Sequence, residues 1–355
     1  MNFDSFKNIR PFGLKKKNKD NFFRKEINFL TKYHYKKSKN YKILLEKLNY
    51  KNGNHSLEDI PFLPSRLFKE LDLISINNNK IFKILRSSGT TGSIPSKIYL
   101  DQKNAHNQII VLSKIISSLL GEKRIPMLII DQDPTLNDKK TFGARSAAIF
   151  GFSIFGTNHT YLLNKEKKID YDKLNRFIKN FKDKPFLIFG FTSLIFDFLI
   201  KTLSKDKLKD ANLSKAIILH GGGWKKMEKN KVDNYKFKSL LTKKLNIQKV
   251  YNYYGLVEQT GSIFIECQKC SCFITSVFSD VIVRDKHFNV LSEGKKGFIQ
   301  LMSLLPSSYP GHSILTEDLG QIVNNEKCIC AKKGKAFLVF GRMPKAEIRG
   351  CSDTI

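Results

Sequence analysis

The sequence predicts an α/β protein built on a mainly parallel sheet with helices on both faces. Apolar runs of strand length, Met127–Ile130, Phe186–Phe189 and Ala216–Leu219, alternate with stretches of helical spacing, Asn104–Leu120 and Leu194–Leu203. These runs are apolar at every position, the pattern of strands buried on both faces and therefore of a parallel sheet. A chain of 355 residues, 41% of them hydrophobic, can bury such a core.

Taken in order, residues 1–80 read as an N-terminal helical region. Phe22, Phe23, Ile27 and Leu30, then Tyr41, Leu44, Leu45 and Leu48, recur at helical steps among lysines, so each set forms the buried stripe of an amphipathic helix. Lys15–Lys19 reads as a short basic loop, and Pro61 and Pro64 bracket a turn that delivers the chain to Leu67 and Phe68. Ile81–Leu85 and Ile98–Leu100 are short strands either side of a polar loop. The helix Asn104–Leu120 closes at Gly121, and Met127–Ile130 is stopped by Asp131 and Pro134. Phe142–Arg145 and the Gly- and Phe-rich Ile149–Gly156 form either a smooth wall for a carbon chain or ordinary core. Further on, Gly190, Phe191 and Thr192 read as turn and cap between the strand Phe186–Phe189 and the helix Leu194–Leu203, and Lys249–Tyr251 as a later strand.

Lys and Arg number 62 against 32 Asp and Glu, a formal charge of +30, which would suit nucleic acid, an anionic membrane or an acidic partner. The lysines are spread along the whole chain, and no RNA-recognition or helix-turn-helix signature accompanies them. A solvated basic surface is the expectation, with no nucleic-acid partner. Met1–Arg10 is charged and has no apolar core, so it does not read as a signal peptide. The most apolar run, Phe186–Ile200, is broken by Gly190 and Asp197 and falls short of the roughly 20 residues that span a bilayer. A cytoplasmic protein without a transmembrane segment is expected, its 6 cysteines reduced and available for metal or chemistry.

The stretch most in need of a chemical explanation is Arg86–Asp101. Ser87, Ser88, Thr90 and Thr91 set hydroxyls beside Gly89 and Gly92, so side-chain and backbone donors converge on one anion without crowding. A polyphosphate fits, and Lys97 adds positive charge nearby. The loop lacks the closing Gly-Lys-Ser/Thr of a Walker A sequence. A second candidate is His220-Gly221-Gly222-Gly223-Trp224, directly after a strand, at the end where ligands collect in open α/β sheets. Its glycines let something flat approach the backbone, while Trp224 either closes that pocket or packs.

Ser88-Gly89-Thr90-Thr91-Gly92, followed by Pro95 and Lys97, resembles the phosphate-binding loop of the adenylate-forming enzymes: acyl-CoA synthetases, firefly-type luciferases and peptide-synthetase adenylation domains. Pro61–Lys69 and Ser96–Asp101 resemble, more narrowly, the acyl-protein synthetase (LuxE-type) branch. The resemblance implies the α/β large domain of that superfamily, with its core at 81–340 and a shortened hinge and tail at 341–355 in place of most of the C-terminal lid domain. It also implies ATP and Mg²⁺. Gly221–Gly223 would lie along the adenine. Asn252–Glu258 is similar to the family's Asn-x-Tyr-Gly-x-Thr-Glu motif, so Tyr254, ahead of Gly255, would stack on adenine and Glu258 would hold Mg²⁺. Val257 replaces the usual threonine, so a hydroxyl donor is lost or is supplied by Gln259 or Thr260. In Thr316-Glu317-Asp318, with Glu where the family has Gly, Asp318 would accept hydrogen bonds from the ribose hydroxyls. Phe340–Lys345 resembles the Gly-Arg hinge, with Arg342 reaching the ribose or phosphates; the pattern departs around Pro344 and Lys345. Lys97 also departs, standing two residues after Pro95 where the family has one.

Two groups of cysteines, Cys267, Cys270 and Cys272, then Cys328 and Cys330, have gaps that let four of the five surround a structural Zn²⁺; free half-buried thiols are the alternative. Cys351 differs in kind. In acyl-protein synthetases a cysteine near the C-terminus takes the acyl group as a thioester before passing it to a reductase, and Cys351 matches that position beside Arg349. The expected activity is therefore ATP-dependent activation of a long-chain fatty acid, with catalytic roles for Cys351, Lys97 and Glu258 and a reductase or carrier protein as acceptor. An acid–CoA or acid–carrier-protein ligase of the same fold is the alternative. A basic binding protein without catalysis is a more distant one.

Overall fold

The computed structural model describes residues 8–87, 94–134, 144–210, 212–224, 231–324, 328, 330 and 332–343. In chain order its elements are α1 (Lys16–Lys37), α2 (Lys39–Lys47), β1 (Leu63–Pro64), α3 (Leu67–Glu70), β2 (Lys83–Arg86), β3 (Lys97–Leu100), α4 (Gln102–Leu120), β4 (Ile125–Gln132), α5 (Ala144–Ser153), β5 (Gly156–Leu163) and α6 (Tyr171–Phe181). Then follow β6 (Phe186–Phe191), α7 (Thr192–Leu194), β7 (Ala216–Gly221), α8 (Asn234–Leu245), β8 (Lys249–Tyr254), β9 (Phe264–Glu266), β10 (Phe273–Ile274), β11 (Ser279–Arg284), β12 (Lys296–Ser303), β13 (Ser313–Val323) and β14 (Ala336–Arg342). The chain divides into two compact units, one drawn from the stretches before 122 and after 254, the other essentially 122–254. Among the described residues, no helix is long and apolar enough to cross a membrane.

The second unit is a parallel sheet in the order β5, β4, β6, β7, β8. Side chains alternate across it, so Leu128, Ile130, Phe186, Ile188, Ala216 and Ile218 line one face, where α6 contributes Leu174 and Phe177 and α8 contributes Phe237 and Leu241. On the opposite face Phe152 of α5 stacks on Phe189 at 4.7 Å. Each large side chain so buried contributes about 1.5–3 kcal/mol.

Gly190 and Phe191 do not form the expected turn. They stay in β6, and the helix starts only at Thr192. A Cβ on Gly190 would lie 2.9 Å from that of Ile130, so glycine is what allows the neighbouring strand and its side chains this close. The expected helix Leu194–Leu203 is a π-helix over Ile195–Thr202, with the Leu203 amide donating to the Phe198 carbonyl at 2.9 Å. β8 likewise runs past Tyr251 to Tyr254.

In the first unit the order is β11, β12, β13, β14, β10, β9, with antiparallel pairings; β1 adds parallel to β13, and β2 and β3 form a separate hairpin. The expected α/β layering is present, but its parallel part lies mainly in the second unit. Short links such as those joining β11 to β12 and β12 to β13 reverse the chain, and a short link can only join antiparallel neighbours. Helix α4 begins at Asp101, whose carboxylate accepts from the Asn104 amide at 2.7 Å, and ends at Gly121, whose φ of +82° suits only glycine readily.

Lys15–Lys19 is not a loop. Lys16 opens α1, and Lys19 lies buried with Asp280, also beside Lys335. A lysine in a basic run reads as solvent-facing, and only the tertiary partner Asp280 reverses that. His34 and His312, stacked at 4.9 Å, are likewise buried; burial pushes the His34 imidazole down to about 3, so it is neutral near pH 7.

Candidate active site

At the carboxyl ends of the parallel strands, β6, β7 and β8 bring Gly190, His220 and Asn252 into one row and Phe191, Gly221 and Tyr253 into the next. Gly221 lies against the Tyr253 ring, and an added Cβ would sit 2.6 Å from its Cε1. Gly222 has φ +79°, a conformation that favours glycine, while a Cβ on Gly223 would meet nothing within 4 Å. The exposed backbone of Gly222 and Gly223 is therefore presented without side chains at the place where open sheets bind ligands, while Gly221 is buried beneath the Tyr253 ring. Trp224 packs edge-on to Phe196, centroids 4.9 Å apart, the second of its two expected roles.

His220 and Thr192 support this edge, and neither was singled out for that role from the sequence. The Thr192 hydroxyl donates to the Gly221 carbonyl at 3.1 Å, and His220 Nδ1 lies 2.9 Å from the same oxygen atom of Thr192. Burial and Lys238 push His220 down to about 3, leaving a neutral ring that can donate from Nδ1. A histidine closing an apolar strand was the available signal. Asp131 and Arg145 form a second pair missed from the sequence, the guanidinium meeting both carboxylate oxygens at 2.5 Å where β4 ends. Asp131 had read only as a strand stop, and Arg145 as part of an apolar wall. In that wall Phe152 is buried, while Phe150 and Ile154 are exposed.

In the first unit, β13 and β14 place Asp318 directly opposite Arg342, with Nε and Oδ1 3.9 Å apart. The Asp318 amide donates to the Thr316 hydroxyl at 3.1 Å, which in turn donates to the Ile299 carbonyl at 2.9 Å. The motif's threonine thus holds the turn of chain that carries the aspartate. Glu258 is buried in a 3₁₀ turn, Val257–Gln259, whose backbone is fixed by the Tyr309 hydroxyl donating to the Glu258 carbonyl at 2.8 Å. The two candidates to replace the missing threonine hydroxyl are engaged elsewhere. Gln259 donates to the carbonyls of Leu301 and Gly311, and Thr260 to that of Val257.

The β2–β3 hairpin frames the hydroxyl-rich loop as expected, with Arg86 opposite Lys97. Ser88, Gly89, Thr90, Thr91 and Gly92 lie outside the described residues. Ser87 closes the hairpin, its hydroxyl accepting from the Ser96 amide at 2.8 Å. Lys97 Nζ is 3.2 Å from Asp72, which also accepts from the Tyr99 hydroxyl at 2.6 Å. The Tyr99 hydrogen bond and Lys97 hold the Asp72 carboxyl below its ordinary range. A lysine expected to face phosphate therefore already has a carboxylate partner.

Over residues 3–355 the chain matches the family model described as acyl-protein synthetase, LuxE. The chain belongs to this family. As an acyl-protein synthetase of the adenylate-forming type it is an ATP-dependent ligase. Long-chain-fatty-acid–luciferin-component ligases of Vibrio harveyi and Aliivibrio fischeri are each 21% identical to it, over 90% of this chain and 83% and 84% of theirs. Among solved structures, an open conformation of 2-hydroxyisobutyryl-CoA ligase in complex with 2-HIB-AMP and CoA has a TM-score of 0.72 at 15% identity. It covers 94% of this chain and 76% of its own. A postadenylation state of that ligase, in complex with R3-HIB-AMP, has a TM-score of 0.73 at 14% identity and covers 94% of this chain and 69% of its own. These likenesses establish the fold of the synthetase as that of the adenylate-forming ligases.

Cys267, Cys270 and Cys328 present sulfurs that all lie within 4.8 Å of one another. Cys351 lies outside the described residues, as does Arg349.

Proposed function

We propose that this synthetase activates a long-chain fatty acid with Mg·ATP and carries the acyl group on Cys351. A carboxylate oxygen of the acid attacks the α-phosphorus, the bond to the bridging oxygen breaks, and pyrophosphate leaves with the electron pair, giving acyl-AMP. The Cys351 thiolate then attacks the acyl carbonyl and displaces AMP, forming a thioester that a reductase partner accepts. The substrate carboxylate is already a competent nucleophile, so the protein's contribution is positioning and charge neutralisation.

The observation that carries this reading is the placement of Asp318 opposite Arg342, a carboxylate for ribose hydroxyls beside a guanidinium for ribose or phosphate, in a chain of the LuxE family. Gly221–Gly223 and Tyr254 are assigned to the adenine, the loop Ser87–Gly92 with Lys97 to the β and γ phosphates, and Glu258 to Mg²⁺. A carboxylate is the side chain that best retains a hard cation, and Glu258 offers one on a fixed turn. The bound cation would neutralise phosphate charge. Exchanging Asp72 for a phosphate would cost Lys97 little, because their half-exposed pairing is of the weak surface kind. The names of the curated relatives support a fatty acid as the substrate class.

The test is to incubate the protein with Mg·ATP and a radiolabelled long-chain fatty acid, with and without CoA, and then to denature it. Label bound to the chain without CoA and released by neutral hydroxylamine is the expected result. Label that appears only in acyl-CoA would overturn the acyl-protein step and favour an acid–CoA ligase.

A further inference from the structure

We propose that Cys267, Cys270, Cys328 and Cys330 form a tetrathiolate Zn²⁺ site, with Cys272 excluded, and that the ion fastens the β9–β10 turn to the segment between β13 and β14. Zn–S bonds of about 2.3 Å at the tetrahedral angle separate ligand sulfurs by about 3.8 Å. Cys267 and Cys328 are 3.8 Å apart, although 61 positions separate them. Cys270 lies within 4.8 Å of both. Cys330 is not part of that mutual 4.8 Å group; it packs against the same cluster, two residues after Cys328, and is the thiol that would close on the ion as the fourth ligand. Cys272, buried in the same cluster, is also outside the mutual 4.8 Å group and is engaged locally, its thiol donating to the Cys270 carbonyl at 3.2 Å.

The backbone around these sulfurs is built as a knuckle. The Cys267 amide donates to the Cys272 carbonyl and the Ser271 amide to the Cys267 carbonyl, each at 2.8 Å, and Ser271 takes φ +55°, which a serine seldom adopts. This tight turn directs the Lys269 amide at Cys267 Sγ, 3.3 Å away. Amide donors of this kind stabilise thiolate ligands. Four thiolates around a dication leave net negative charge, and Lys332 stands beside Cys267, Cys330 and Cys270 to offset it. Phe12, Ile274, Val323, Ala336 and Leu338 enclose the cluster in apolar side chains. β10 pairs with β14, so the ion would anchor the strand whose far end carries Arg342.

Metal analysis of the full chain, purified without a metal-affinity tag, is expected to give close to one zinc per chain. Less than a tenth of an equivalent, iron in its place, or a disulfide among these cysteines would overturn the site. Ser substitution at Cys267, Cys270, Cys328 or Cys330 is expected to lose the zinc and lower the melting temperature, while Cys272→Ser keeps it. Zinc retained by Cys330→Ser and lost by Cys272→Ser would overturn the ligand set. Should the variants fail to fold, Co²⁺ exchanged into the wild type reports directly: intense tetrahedral bands with sulfur-to-cobalt charge transfer support the site, and weak octahedral bands refute it.

Discussion

Cys351→Ser is expected to exchange pyrophosphate into ATP within roughly threefold of wild type while retaining no labelled acyl chain after denaturation. The two steps use different groups. Adenylation needs the acid, Mg·ATP and the residues that position them, whereas retention needs a thiolate. A serine hydroxyl at the same place stays protonated near neutral pH and is a far weaker nucleophile. Cys272→Ser is the matched control, since its thiol donates to a backbone carbonyl and takes no part in the proposed transfer. Normal labelling of Cys351→Ser would refute the nucleophile assignment.

Asp280→Ala is expected to destabilise the protein by about 3–5 kcal/mol, a large share of the roughly 5–15 kcal/mol available to a folded domain. Its carboxylate lies 3.7 Å from Lys19 Nζ and 3.0 Å from Lys335 Nζ and is wholly buried. Removing it takes from the buried Lys19 ammonium its buried carboxylate partner and leaves the Thr275 hydroxyl, which accepts from it at 2.6 Å, and the Phe23 ring, 6.0 Å away, as neutral neighbours. Burial pushes the Asp280 carboxyl up, but Lys19 and Lys335 together overcome this and hold it below its ordinary 3.8. A depressed carboxyl stabilises the fold above the unfolded value, and that stability is lost as the pH falls through the lower folded value. Acid denaturation below about pH 3.8 should therefore be shallower in Asp280→Asn than in wild type. The double variant Asp280→Ala/Lys19→Met should recover part of the loss, because it leaves no unpaired Lys19 charge. Chemical denaturation monitored by circular dichroism measures all of these. A loss below about 1 kcal/mol in Asp280→Ala would show that the buried charges are solvated in another way.

The parallel unit was the most legible part of the sequence, because fully apolar runs such as Phe186–Phe189 and Ala216–Leu219 have one comfortable environment, a strand covered on both faces. Element ends were less so. Gly190 reads as a turn in a one-dimensional scan and is a strand residue through its pairing with His220, with glycine required there by the closeness of Ile130. Motif residues were found where chemistry restricts the choice of side chain, as at Asp318 and Arg342, and their mutual register emerged only in the sheet. Long-range electrostatics left no local trace. Lys19 reads as solvent-facing and Asp131 only as a strand stop, and each is buried against a distant partner, Asp280 and Arg145.

Acid-dependent exchange of labelled pyrophosphate into ATP, measured over a chain-length series of carboxylic acids in wild type and in Asp318→Ala, addresses acyl-adenylate formation most directly. Exchange that rises with long-chain acids is expected. Asp318→Ala should lower it about 10- to 100-fold, chiefly through a higher KM for ATP, as fits the loss of charge-assisted hydrogen bonds to the ribose. Wild-type protein that exchanges no pyrophosphate with any acid of the series would contradict adenylate formation altogether.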